Sequence, residues 1–459
     1  MRNEKLLTTY VVPLMSLLAL TSQGCSSKNQ ENDAWVRSQV EERLDKRVQW
    51  NQARAEDAEA ALAVSKILEE TLSIDAAVQI ALLNNPSLQA AFEEIGVAQA
   101  DLVAAGLLHN PIFDTYLRFP MPSSQKINAQ FAVAFSFLDI FMIPLKKKAA
   151  TFEFEKVRAD VAHAVLTLAY DVEEVFYRYQ NAVAQMELQT TLLDISEVAY
   201  ALATRQKQAG NINPLFLDEK RAAFEENKLM REKLEMEATS YRERLSTLLG
   251  FSKEDHSWHI AGWLSELPAE ELAFSELEDR AVQRRFDVLA AQKEILWIAQ
   301  LGAQKKWWSY TDLQLGASAE GETDGTWEAG PALSMALPFF DFGQADRARL
   351  AALLKQSREK LKALEVQVRS DVRLAQQKIQ NARFVASEYS RIVIPLRARI
   401  VDSAERMFNV MTYGIYDLLE DKRREVLAHM HFEEALCSYW IARAELLRAV
   451  GGYWENDPK

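Results

Sequence analysis

The chain has 459 residues, and its 66 acidic against 53 basic side chains give a formal net charge of −13; that balance excludes a nucleic-acid partner, whose phosphate backbone selects basic surfaces. Only 15 glycines and 12 prolines leave little material for loops. With 49% hydrophobic and 26% charged residues, the composition fits long amphipathic helices better than a compact α/β enzyme.

The first predicted element is an address. "MRNEKLLTTYVVPLMSLLALTSQGC" places Arg2 and Lys5 ahead of an apolar run from Leu6 to Leu20 and ends in small residues at Cys25, the layout of a secretory leader over 1–24. The run is too short and too interrupted to span a bilayer as a mature helix. Gly24-Cys25 is similar to the cleavage point of a bacterial lipoprotein leader, which makes Cys25 the expected acylated lipid anchor, although Ser22 stands where such leaders usually carry Leu. Residues 25–70 then form an N-terminal lipoprotein or periplasmic segment.

From residue 71 onward the chain says most things twice. "NNPSLQAA" at 84–91 aligns with "RRFDVLAA" at 284–291, "FSFLDIFMIPLKKKAA" at 135–150 with "LPFFDFGQADRARLAA" at 337–352, and "AGNINPLFLDEKR" at 209–221 with "YGIYDLLEDKRR" at 413–424. A nearly constant offset is the signature of duplicated structural units. The expected organisation is repeat 1 over 71–250, a connector over 251–265, repeat 2 over 266–452 and a tail over 453–459.

Within each repeat the period falls to two. "INAQFAVAFSFL" puts Phe131, Val133, Phe135 and Phe137 on one face and Gln130, Ala132, Ala134 and Ser136 on the other; "TWEAGPALSMALPF" repeats the idea with Leu333, Met335 and Leu337. Their partners are "IFDTYLRF" at 112–119 and "YTDLQLGASAEG" at 310–321, joined through the turn sequences "PMPSSQK" and "ETDG". Each strand is predicted at about 9–11 residues, the membrane-spanning length. Two hairpins cannot close a barrel, and an open edge is not tolerated in lipid, so this reading requires several chains. The Trp307-Trp308-Tyr310 cluster suits either an interfacial belt or helix-end packing.

A long helix follows each hairpin. From Leu361 to Met411, apolar or aromatic residues recur at spacings of three and four through Val368, Val372, Ala375, Ile379, Ala382, Ala386, Leu396, Ala404 and Met407, a coiled-coil seam. Val157, Val161, Val165, Leu168, Val175, Tyr179, Ala182 and Met186 begin a comparable stripe in repeat 1. Each helix is expected to run for about 65–70 residues, ~100 Å, to a hairpin tip marked by Gly210 or Gly414, with Pro395 kinking the second.

Catalytic chemistry is poorly represented. The near-neighbour histidines are His256/His259 and His429/His431, and residues two apart on a helix do not share a face; no metal or other cofactor is expected. There is no phosphate-cradling glycine loop and no nucleophile motif. Cys437 sits in an apolar helical stretch as a core thiol.

The order "LSIDAAVQIALLNNPSLQAA", hairpin, "LPFFDFGQADRARLAA", long helix with "IVIPL", "YGIYDLLEDKRR" and "AELLRAVGG" resembles the TolC-type outer-membrane efflux factor family across most of residues 71–452. The chain departs from that pattern where Phe286 stands in place of the proline seen at Pro86, and where Phe141 replaces the glycine of Gly343. The resemblance implies a mainly α fold with a β-barrel portion: a homotrimer in which each chain gives four strands to one twelve-strand outer-membrane barrel, continued by a periplasmic α-helical coiled-coil tunnel. It also implies an outer-membrane exit duct that extends into the periplasm and works with a periplasmic adaptor and an inner-membrane pump. The rival reading from the residues is a non-conducting periplasmic coiled-coil scaffold. Asp417 and Glu420, three apart at the start of the last helix, share a face; they match two aspartates that line the family's periplasmic constriction, the second being Glu here. Alternatively they favour the helix dipole, with Glu420 pairing to Arg424.

Overall fold

The computed structural model describes residues 29–51, 62, 64, 66–68, 71–119, 121, 126–251, 258–269, 276–305 and 313–453. The leader, the Cys25 anchor, His256 and the Trp307-Trp308-Tyr310 cluster therefore lie outside the described residues.

The duplication is visible element by element. Helix α1 (Asn29–Leu44) precedes repeat 1, which runs α2 (Ile74–Asn84), α3 (Pro86–Ala104), β1 (Ile112–Arg118), β2 (Asn128–Ser136), α4 (Leu138–Gln208) and α5 (Pro214–Leu248). Repeat 2 runs α6 (Leu277–Arg284), α7 (Phe286–Gln304), β3 (Gln314–Gly321), β4 (Trp327–Ser334), α8 (Gln344–Glu388), a π-turn (Tyr389–Val393), α9 (Ile394–Asn409) and α10 (Ile415–Val450). Helices α3 and α7 each have 19 residues and begin 200 residues apart, so Phe286 opens its helix where Pro86 opens the other. The other departure changes an element. In repeat 2, Gly343 adopts φ +78, a left-handed backbone that ends any extension of α8 toward β4. Repeat 1 has Phe141 at that position, and α4 continues back to Leu138.

Two compact units form, and neither is a repeat. One comprises residues 1–92, 162–285 and 367–459, the other 93–161 and 286–366, so each repeat contributes to both. The first unit is helical, and α10 lies in its core, with Tyr439, Leu446 and Val450 fully buried. Around it Leu264, Ala386, Ala435, Leu436, Cys437 and Ile441 form one apolar cluster flanked by Tyr177 and Trp440, whose rings stack at 5.8 Å. Cys437 donates to the Tyr177 carbonyl (3.6 Å), and burial pushes its thiol up to about 12.

The coiled-coil seam follows the predicted stripe only so far. Val368, Val372, Ala375, Ile379, Ala382 and Ala386 are all buried. Beyond the π-turn the buried positions become Val401 and Ala404, whereas the predicted Leu396 and Met407 are exposed. The cause is Pro395, which has no N–H to donate. The chain meets it with one wide turn, closed by the Ile394 N–H donating to the Tyr389 carbonyl, and such a turn rotates every following side chain about the helix axis.

The second unit contains one antiparallel sheet in the order β1-β2-β3-β4. The strands have 7, 9, 8 and 8 residues, shorter than predicted. Phe137, Met335 and Leu337 fall beyond their ends because the chain turns there toward α4 and α8.

Candidate functional site

In the sheet, directly paired residues share a face. One face is built from Phe113, Thr115 and Leu117 of β1, Ala129, Phe131, Val133 and Phe135 of β2, Leu315, Ala317, Ala319 and Gly321 of β3, and Trp327, Ala329, Pro331 and Leu333 of β4. Thr115 is its one polar residue. The opposite face carries Asp114, Arg118, Asn128, Gln130, Ser136, Gln314, Ser318, Glu320, Glu328 and Ser334, and Asn128 donates across the strands to Glu320 (2.9 Å). Phe131 stacks between Phe113 and Trp327 at 6.3 Å on each side. The apolar side chains stay exposed: Phe113 at 63%, Trp327 at 64%, Leu333 at 68%. Within one chain β1 and β4 are open edges.

The helix hairpins lie in the other unit. In the first, α4 ends at Gln208, Gly210 takes φ +77 with its N–H donating to the Lys207 carbonyl, and the Asn213 side chain caps α5 by accepting from the Phe216 N–H (2.8 Å). In the second, α9 ends at Asn409, and the residue forced into the left-handed region is Met411, at φ +61. Gly414 is the N-cap of α10 at φ −77, with no side-chain cap. The glycine-to-glycine match of the two tips is therefore a mismatch of roles. Gly210 corresponds to Met411 and Asn213 to Gly414, because both turns have the same length and each cap must precede its helix by one residue.

Asp417 is exposed in the first turn of α10. Its carboxylate folds over the cap, so that a Cβ added at Gly414 would meet Asp417 Oδ2 at 2.7 Å. Glu420 is half-buried and accepts from Arg423 (2.7 and 2.8 Å) and Arg424 (2.9 Å). The Arg423 hydrogen bond, joined by both guanidinium charges, holds its carboxyl below the usual range. The two residues share a side of the helix but do not touch a common partner.

Three neighbours escape a reading of the sequence. Asp421 is buried and accepts from the Tyr413 hydroxyl (2.8 Å), which fixes the second turn. Tyr416 donates to Gln206 (2.8 Å) and meets Phe216 edge-on at 4.9 Å. The Lys220 ammonium sits over both rings, at 4.9 and 5.4 Å from their centroids. These contacts tie the two tips together, and no local signal could pair residues 210 apart in the chain.

His431 meets Glu434 at 3.7 Å and lies against Tyr389. His259 contributes its carbonyl to the Leu72 N–H (2.8 Å). Among the described residues no group of three His, Cys, Asp or Glu side chains could hold a metal, and no helix is long and apolar enough to cross a membrane.

Residues 77–251 match the family described as outer membrane efflux protein. Over 394 residues the chain is 23% identical to the cobalt-zinc-cadmium resistance protein CzcC of Cupriavidus metallidurans, with 83% of this chain and 90% of that protein aligned. Its fold is similar to a membrane protein from Pseudomonas aeruginosa (17% identity, TM-score 0.66, 82% of this chain and 93% of the other). It is similar also to the Campylobacter jejuni CmeC outer membrane channel (16% identity, TM-score 0.65, 84% and 87%).

Proposed function

Proceeding from a chain that belongs to the TolC-type outer-membrane efflux factor family and resides in the outer membrane, we propose that it is the exit duct of a tripartite efflux or secretion system. Three chains join β4 of one to β1 of the next and close a twelve-strand barrel. The apolar face meets lipid and the polar face lines the passage. The helices serve as a periplasmic tunnel that receives substrate from an adaptor and an inner-membrane pump, and the duct itself does no chemistry.

One observation carries this reading: a four-stranded sheet with one face apolar at every position but Thr115, exposed on that face and open at both edges. A water-exposed sheet of that kind is an aggregation site, and only closure removes its edges. The scaffold alternative leaves the face without a covering. Cys25 would add a lipid anchor, and palmitate labelling of the wild-type chain tests that separately.

Asp417, which among the described residues has no hydrogen-bond or ion-pair partner, would form a ring of three carboxylates around the three-fold axis, with the Arg-paired Glu420 behind it. Such a ring favours cations. Single-channel conductance of the purified protein in planar bilayers tests the whole reading. Conducting trimers are expected, and Asp417→Ala with Glu420→Ala should raise conductance and reduce cation preference at unchanged trimer yield. An absence of conductance removes the duct; wild-type conductance and selectivity in the double variant move the constriction elsewhere.

A further inference from the structure

Just beyond the strands, both repeats place the same two-part pattern. In repeat 1, Phe141 is 63% exposed on the first turn of α4, and Lys147 and Lys148 follow, also exposed. In repeat 2, Phe339, Phe340 and Phe342 are exposed ahead of α8, Phe340 at 94%, and Arg347 and Arg349 follow. Phe141 and Lys148 are seven residues apart, as are Phe342 and Arg349. Seven residues bring a helix back to nearly the same face, ~10 Å further along its axis.

The acids of these segments are already occupied. Asp139 is held by Lys146 (2.9 Å) and by His109, Asp341 accepts from the Gly343 N–H (2.7 Å), and Asp346 pairs with Lys305 (3.1 Å). Among the described residues no ion pair engages Lys147, Lys148, Arg347 or Arg349. In a chain with a net charge of −13, four unneutralised cations beside exposed aromatic rings require an anionic partner.

We infer that this collar binds anionic glycerophospholipid head groups at the bilayer surface, the aromatic rings seated at the acyl boundary and the cations on the phosphates. The inference rests on the membrane reading of the sheet, with which the collar is continuous through Phe135 and Leu333. The depths agree. A ring at the edge of the hydrocarbon and a cation ~10 Å beyond it bracket the head-group layer of about 5–8 Å. Direction agrees too: side chains on a helix lean toward its N-terminus, so the lysines of α4 reach back toward the strands and can snorkel to the phosphates.

The test is native mass spectrometry of the full chain released from nanodiscs of phosphatidylethanolamine with or without phosphatidylglycerol. Wild type should retain phosphatidylglycerol preferentially. The variant Lys147→Gln, Lys148→Gln, Arg347→Gln, Arg349→Gln should lose that preference at least tenfold with its assembly intact, since each cation near an anionic surface contributes about fivefold. The milder pair Lys148→Gln with Arg349→Gln should lose part of it, and Lys147→Arg with Lys148→Arg should retain it. Preference unchanged in the Gln variants overturns the inference, as does dissociation of both Gln variants into monomers, which would make the cations a contact between chains. Wild type that enters nanodiscs without lipid preference overturns the collar alone, whereas wild type that does not enter them removes the duct as well.

Discussion

The two helical hairpins descend from one duplicated unit, yet the first is built from local rules and the second violates several. Helix α4 runs unbroken for 71 residues to a glycine in the left-handed turn and an asparagine cap on α5. The second hairpin interrupts its ascending helix with a π-turn, places Met411 at φ +61, and begins α10 with no side-chain cap. Strain held by the surrounding structure marks a place that has something else to do. The second tip is the one with the unpaired Asp417, which makes it the natural candidate for the part that moves.

The same contrast extends along the descending helices and supplies the largest predicted effect. Glu433 and Glu232 are both the nineteenth residue of their helix, α10 and α5. Glu232 is exposed beside Arg231, whereas Glu433 is buried with Oε2 lacking a partner, and burial raises its carboxyl to about 7. A carboxyl raised on folding adds stability that is complete below its unfolded value near 4.5 and is lost as pH climbs through about 7. Glu433→Gln should therefore raise stability by ~2 kcal/mol at pH 8 relative to pH 4, read from thermal midpoints of detergent-solubilised protein at the two pH values. Glu232→Gln should show no such dependence. Equal pH responses would erase the distinction between the helices.

A reciprocal exchange at the turns is next in size. Gly210→Ala should destabilise its tip by ~1 kcal/mol, because a Cβ is strained at φ +77, and Met411→Gly should stabilise the other tip by a similar amount. Amide hydrogen exchange at the two turns reads each effect locally. A loss at both sites would mean that the Met411 side chain makes a contact worth more than the strain.

The smallest effect concerns the caps. Asn213→Ala should cost ~1 kcal/mol at the start of α5, measured by exchange of the Phe216 amide. Gly414→Ser should gain no more than ~0.5 kcal/mol, since its new Cβ must displace the Asp417 carboxylate. A gain as large as the Asn213 loss would show that Asp417 contributes nothing to the start of α10.

The alternation Phe131-Val133-Phe135 and the turn sequences gave the strand faces directly, because side-chain direction in a strand has a fixed period. The stripe from Val368 to Ala386 was legible for the same reason. Beyond Tyr389 the reading failed, since a single π-turn shifts the phase of everything that follows and leaves no mark in residue type except Pro395. The tips failed differently. Aligning glycine with glycine is sound when glycine means a left-handed turn, but at Gly414 it means an empty cap, and Met411 bears the strain.

The sequence by itself determined the duplication, the element order and the apolar face of each strand, because these depend on periodicities of two and of three to four residues written locally in the chain. Only the tertiary structure decided that the repeats interleave into two units, that Tyr416 and Gln206 tie the tips together, and that Glu433 is buried while Glu232 is not. Those outcomes depend on which distant surfaces meet, and a helical residue carries the same local pattern whether its neighbour is water or another helix.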